Sequence, residues 1–231
     1  MDLAGKRVLI TGGAVRVGAA LAEGFARSGA KISIHYRRSA EEAERLLCAL
    51  PGEGHDCIAA DLADPEEAQT LIARTGHCID ILVNNASYYV RDAADAAECR
   101  QVNVFSPVEL MTQFSAQDGL ENGVILNFLD GAALRAVPDG DFYTASRVEL
   151  ARMTVEFARR FAPKIRVNGI APGPVLPPVW LPESRMANIS QKLPLKHPVD
   201  LTELVETALL LCRAESMTGV LLPVDCGLHL T

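Results

Sequence analysis

The chain has no basic excess: 22 Lys and Arg stand against 29 Asp and Glu, a net charge of −7. A nucleic-acid binder needs a basic face, so that class of partner is not expected. No apolar run approaches the ~18 residues of a membrane span, so no membrane association is expected. No basic start followed by an apolar stretch marks a secretory signal, and the expected location is the cytoplasm. The six cysteines (Cys48, Cys57, Cys78, Cys99, Cys212 and Cys226) form no C-x-x-C and no metal-type pairing with the five histidines. They read as free thiols in a reducing compartment, with no metal site. There is no internal repeat and no linker-like break in composition. What remains is a chain of 231 residues, 49% apolar, enough for the core of one large α/β domain.

Short apolar, β-rich runs alternate with helix-like segments. The strands are expected at Arg7 to Thr11, Lys31 to His35, Asp56 to Ala60, Ile79 to Val83, Val124 to Leu129, Ile165 to Ile170 and Val220 to Val224. Helices are expected at Val17 to Ser28, Ala40 to Leu50, Asp64 to Thr75, Arg100 to Phe114, Tyr143 to Phe161 and Leu201 to Cys212. Such alternation implies a parallel sheet covered on both faces. Right-handed crossovers then give a doubly wound, Rossmann-like α/β fold of about seven strands in a single domain, residues 1–231. The proline-rich stretch 172–198 is too long for an idle connection and reads as a lid over a site.

The spacing of Asp130, Tyr143 and Arg147 is the most informative chemistry. The carboxylate precedes the tyrosine by thirteen residues and the cation follows it by four. Positions i and i+4 share a helix face, so Arg147 is expected beside the phenol, favouring its ionised form. Such a tyrosine can pass a proton near neutral pH, which a free phenol with a pKa of about 10 does poorly.

Thr11-Gly12-Gly13-Ala14-Val15-Arg16-Val17-Gly18 joins the first strand to the first helix. Glycines let the backbone turn sharply and approach a pyrophosphate at the helix N-terminus. This is not the G-x-G-x-x-G fingerprint. Arg16 in its middle is either a surface residue or a cation beside phosphate or an acidic substrate group. The end of the second strand chooses between the two nicotinamide cofactors. An acid there would bind a ribose 2′-hydroxyl. The chain instead has His35-Tyr36-Arg37-Arg38-Ser39, whose guanidiniums and hydroxyl suit the 2′-phosphate of NADP. Asp61-Leu62 and Asn84-Asn85-Ala86-Ser87 end the third and fourth strands and can line a crevice or simply turn. Asn103 falls mid-helix, where asparagine is a weak helix former. Pro172-Gly173 after the sixth strand either wraps the nicotinamide or starts the lid.

Taken together these residues resemble the short-chain dehydrogenase/reductase family over essentially the whole chain. The matches are Thr11 to Gly18, Asp61, Asn84-Asn85-Ala86, Asn103, Tyr143-x-x-x-Arg147, Pro172-Gly173, and Val224-Asp225 with Gly227. The resemblance implies a catalytic tetrad of Asn103, Asp130, Tyr143 and Arg147. Aspartate and arginine stand where the family usually has serine and lysine. Asp130, Arg16 in the glycine loop, His35 to Ser39, and Asn85-Ala86-Ser87 are similar to the pteridine reductase subgroup. That likeness implies NADPH as cofactor and a pterin-like substrate stacked on an aromatic, Tyr89 or Tyr88. Arg16, Ser87, Tyr89, Asp130, Tyr143 and Trp180 are the candidate substrate residues. Reduction of another carbonyl or a 3-oxoacyl thioester, or non-catalytic NADP sensing given Arg147, are the rival readings. The family also implies a homodimer or homotetramer, with the Tyr143 to Phe161 helix at an interface.

Overall fold

The computed structural model of the chain describes residues 1–90, 93–135, 141–177 and 188–231. Its strands are β1 (Arg7–Ile10), β2 (Lys31–Tyr36), β3 (Asp56–Ala59), β4 (Ile81–Asn84), β5 (Gly123–Phe128), β6 (Ile165–Pro172) and β7 (Leu221–Val224). They form one sheet in the order β3-β2-β1-β4-β5-β6-β7, with every pairing parallel. The seven strands and the doubly wound plan are as the alternation of elements implies. The described helices are α1 (Arg16–Arg27), α2 (Ala40–Ala49), α3 (Pro65–Arg74), α4 (Ala96–Arg100), α5 (Ser106–Ala116), α6 (Phe142–Phe161) and α7 (Leu201–Arg213).

Central strands are apolar on both faces because helices cover both. β1 divides cleanly. Val8 and Ile10 join Leu21, Phe25, Leu204 and Leu211 in the core under α1 and α7. Leu9 points the other way, with Leu71, Leu110, Phe114 and Leu150 under α3, α5 and α6. Each fully buried Leu, Ile or Phe contributes roughly 1.5–3 kcal/mol, so these two layers dominate stability. Asp64, Asp141 and Asp200 begin α3, α6 and α7 by accepting backbone N–H groups. α1 has no such cap and no acid in its first turn. The chain runs β1 to β3 on one side of β1, then returns to β4 on the other. That reversal opens a crevice at the carboxyl ends of the strands.

The single helix expected over 100–114 is in fact α4, a π-helical turn at Gln101–Phe105, and α5. Pro107 has no N–H for the Asn103 carbonyl, so the α-helical ladder cannot pass through this point unbroken. Within the expected lid, residues 178–187, including Trp180, lie outside the described residues.

Candidate active site

The glycine turn forms the floor of a crevice of about 390 Å³. Gly12 has φ +61°, and a Cβ on Gly18 would overlap the Gly12 carbonyl oxygen. The turn packs so tightly on itself that position 18 has no room for a side chain. Thr11 ties this floor to the β4 end: its Oγ1 accepts from Asn85 N at 2.9 Å and Ala86 N at 3.0 Å. Asn85 answers by donating from Nδ2 to the carbonyls of Thr11 (2.9 Å) and Gly12 (3.2 Å). The uncapped N-terminus of α1 leaves orphan N–H groups and a positive dipole end facing the crevice. These features fit a dinucleotide pyrophosphate.

Several expected cofactor residues line this crevice: Gly12, Arg16, Val17 and Gly18 on one side, His35, Arg37, Asp61 and Leu62 on another, and Asn85, Ala86 and Ser87 on a third. Their roles differ. Arg16, at φ +57°, is exposed and donates to the carbonyls of Leu176 (3.3 Å) and Pro177 (3.0 Å). His35 is buried, and both ring nitrogens are engaged within the fold. Nδ1 accepts from Gly12 N at 3.1 Å and Nε2 lies 3.0 Å from the Ala60 carbonyl. Burial lowers its pKa to about 4. Tyr36 packs its ring against the core under α1 and does not line the crevice. Arg37 Nε lies 2.8 Å from Asp61 Oδ2, while Arg38 is exposed and Ser39 begins α2. Pro172 ends β6, and the Gly173 N–H donates to Val224 O at 3.0 Å.

Behind Ser87 and Tyr88, which line the crevice, the expected tetrad converges. Asp130 caps the turn Gly131–Leu134 through Ala132 N (2.8 Å), and its Oδ2 accepts the Tyr143 hydroxyl at 3.4 Å. Arg147, only 2% exposed, places its guanidinium carbon 5.2 Å from the Tyr143 ring centroid. It donates to Phe128 O at 3.2 Å and Asn103 Oδ1 at 3.4 Å. Among the described residues its Nε has no hydrogen-bond partner. Asn103 is fully buried and brackets Tyr88, accepting from Tyr88 N and donating to Tyr88 O, each at 2.9 Å. The ring of Tyr89, which is 47% exposed, meets that of Tyr143 edge-on at 5.0 Å.

The electrostatics correct one expectation. Burial pushes the Tyr143 phenol above its ordinary value, and the pull of Arg147 downward only opposes this. The cation sits where the spacing placed it, but desolvation is the larger effect in this site. Asp130 is likewise raised, first by burial, with the Ala132 N–H and Arg147 acting against it.

Sequence reading missed the residues behind the tetrad. Ser146 accepts from Asn103 Nδ2 at 3.0 Å and donates to the Tyr143 carbonyl at 2.6 Å, fastening the asparagine to the tyrosine. Cys99 touches the same amide nitrogen at 3.2 Å. The only signal for either was position: Cys99 precedes Asn103 by one helical turn, and Ser146 precedes Arg147 by one residue.

Residues 13–229 match the family model described as enoyl-(acyl carrier protein) reductase. The chain belongs to the short-chain dehydrogenase/reductase family. It is similar to the solved FolM alternative dihydrofolate reductase 1 from Brucella canis, which was crystallised with NADP. The two are 31% identical, cover 100% of this chain and 96% of the other, and superpose with a TM-score of 0.92. Among curated members of the family it is 31% identical to a probable galactose dehydrogenase of Rhizobium meliloti, covering 98% of this chain and 96% of that one. It is 29% identical to the dihydromonapterin reductase of Shigella flexneri, over 96% of both chains.

Proposed function

We propose that the protein is an NADPH-dependent reductase of a pterin-like conjugated C=N bond, of the dihydropterin or dihydrofolate type. The observation that carries this reading is the Asp130 carboxyl, 3.4 Å from the Tyr143 hydroxyl with the Tyr89 ring beside it. A flat heterocycle presents N–H donors to a carboxyl oxygen and a face to an aromatic ring. A serine at position 130 would offer less to such donors. The FolM and dihydromonapterin reductase relatives support the same class.

NADPH supplies the hydride. The Tyr143 hydroxyl gives a proton to the substrate nitrogen, and the protonated Asp130 carboxyl returns one to the phenolate oxygen. The Arg147 guanidinium stabilises the phenolate. Asn103 holds the backbone of Tyr88 and, through Ser146, that of Tyr143. Arg16 donates to the carbonyls of Leu176 and Pro177, tying the stretch just after β6 to the glycine turn.

A carbonyl reductase is the second reading, favoured by the sugar dehydrogenase among the relatives. Following NADPH oxidation against dihydropterins, dihydrofolate, sugars, ketones and acyl thioesters decides between them. Turnover with pterins and little with the rest is expected. Efficient turnover of sugars or ketones with none of pterins overturns the assignment. Among the described residues no helix is long and apolar enough to cross a membrane. We read the enzyme as cytoplasmic and as a homodimer or homotetramer, consistent with exposed Phe105 and Phe142. Sedimentation gives the subunit count.

A further inference from the structure

An ion-pair bridge that the chemistry of Tyr143 does not use spans one end of the crevice. Arg37 follows β2 on one wall. Its Nε lies 2.8 Å from Asp61 Oδ2, just past β3. Its Nη1 lies 3.4 Å from Glu98 Oε1 on α4. The two arms are unequal. Asp61 is held in place, with Oδ1 accepting from Ala63 N at 2.9 Å and its own N–H bonded to Glu67 at 2.7 Å. The Glu98 arm is longer.

Charge decides what this bridge does. Among the described residues one guanidinium faces two carboxylates, so this bridge carries one net negative charge before any ligand arrives. A 2′-phosphate brings about 1.5–2 further negative charges at neutral pH. Neither contact uses Nη2 of Arg37, so the phosphate can reach the guanidinium, but it must do so beside both carboxylates, and Glu98, on the longer contact, shares Arg37 with it. A ribose 2′-hydroxyl makes no such demand. We propose that Glu98 discriminates between cofactors: it competes with the 2′-phosphate of NADP(H) for Arg37 and so holds down affinity for the phosphorylated cofactor. This rests on the reading that Arg37 faces the 2′-phosphate, and it is independent of the substrate.

Calorimetric titration of the full chain with NADP⁺ and NAD⁺ tests it, using the parent, Glu98→Gln, Arg37→Gln and the double variant. All three side chains are about one-third exposed: Arg37 36%, Asp61 32% and Glu98 37%. The effect is therefore that of a solvent-screened pair, and Glu98→Gln should tighten NADP⁺ about two- to fivefold. NAD⁺ affinity should not move. The gain should vanish in the Arg37→Gln background and shrink in about 0.5 M salt. Unchanged NADP⁺ affinity in Glu98→Gln, or an equal gain for both cofactors, overturns the proposal even if Arg37→Gln weakens NADP⁺ selectively. If Arg37→Gln leaves the preference for NADP⁺ over NAD⁺ intact, the 2′-phosphate reading falls as well.

Discussion

The backbone N–H of Gly12 donates to Nδ1 of His35 across 3.1 Å, so the imidazole under the glycine turn must be neutral. With Nδ1 accepting, the ring proton belongs on Nε2, where it faces the Ala60 carbonyl at 3.0 Å. A second ring proton would set N–H against N–H in a buried place.

That geometry gives the fold an acid limit. His35 titrates near 6.5 when unfolded and is lowered to about 4 in the folded chain, first by burial. The folded state therefore binds this proton less readily than the unfolded state. The resulting stability is complete above about pH 6.5 and is lost as pH falls toward 4, a change of roughly 3 kcal/mol. Denaturant unfolding at pH 7 and at pH 4.5 should show the loss. His35→Asn should flatten that part of the profile while weakening cofactor binding through the slackened Gly12 turn. An equally steep profile in the variant would remove His35 as the cause.

Asp130 sets a second pH dependence, of opposite sign. Its pKa is raised, chiefly by burial, so its proton persists to higher pH than on a free aspartate. If the protonated carboxyl feeds Tyr143, kcat should fall as pH rises through that elevated value. Asp130→Asn keeps an acceptor for Ala132 N but cannot relay a proton. It should lose about a hundredfold or more in turnover and lose the falling limb. The same raised pKa means that ionised Asp130 costs stability at high pH, so Asp130→Asn should also unfold later than the parent at pH 8. A retained limb in the variant would assign that titration elsewhere.

Arg147 carries the charge on which the phenol depends. Arg147→Met should cut turnover by about a hundredfold, because burial then raises the Tyr143 phenol against the Ser87 hydrogen bond alone. Arg147→Lys keeps the charge as a compact ammonium and should stay within about tenfold of the parent. Spectroscopic titration of the phenol should show an upward shift in the Met variant only. Parent-like turnover in Arg147→Met would rule out electrostatic support. An inert parent restored by Arg147→Lys would favour the sensor reading.

The architecture was legible because its signals are local. Apolar runs such as Val8-Leu9-Ile10 and Ile81-Leu82-Val83 can sit only in a sheet covered on both faces, and the glycines of 12–18 sit where strand meets helix. The i+4 step from Tyr143 to Arg147 also survived folding, because helix geometry fixes it. The break near Asn103 was not read, although Asn103 and Pro107 both signal it, since the residues on either side read as one helix.

The sequence by itself determined the order of strands and helices, the glycine floor and the set of groups able to move a proton. Only the tertiary structure decided how those groups are spent. His35 and Arg37 are neighbours of one strand end, yet one became a buried brace under Gly12 and the other an ion-paired bridge to Asp61 and Glu98. The Tyr143 phenol rose despite its cation because burial depends on every surrounding element at once. Periodicity records which face a residue occupies. Desolvation and pairing depend on what distant segments bring to that face, and that is settled only when the chain is packed.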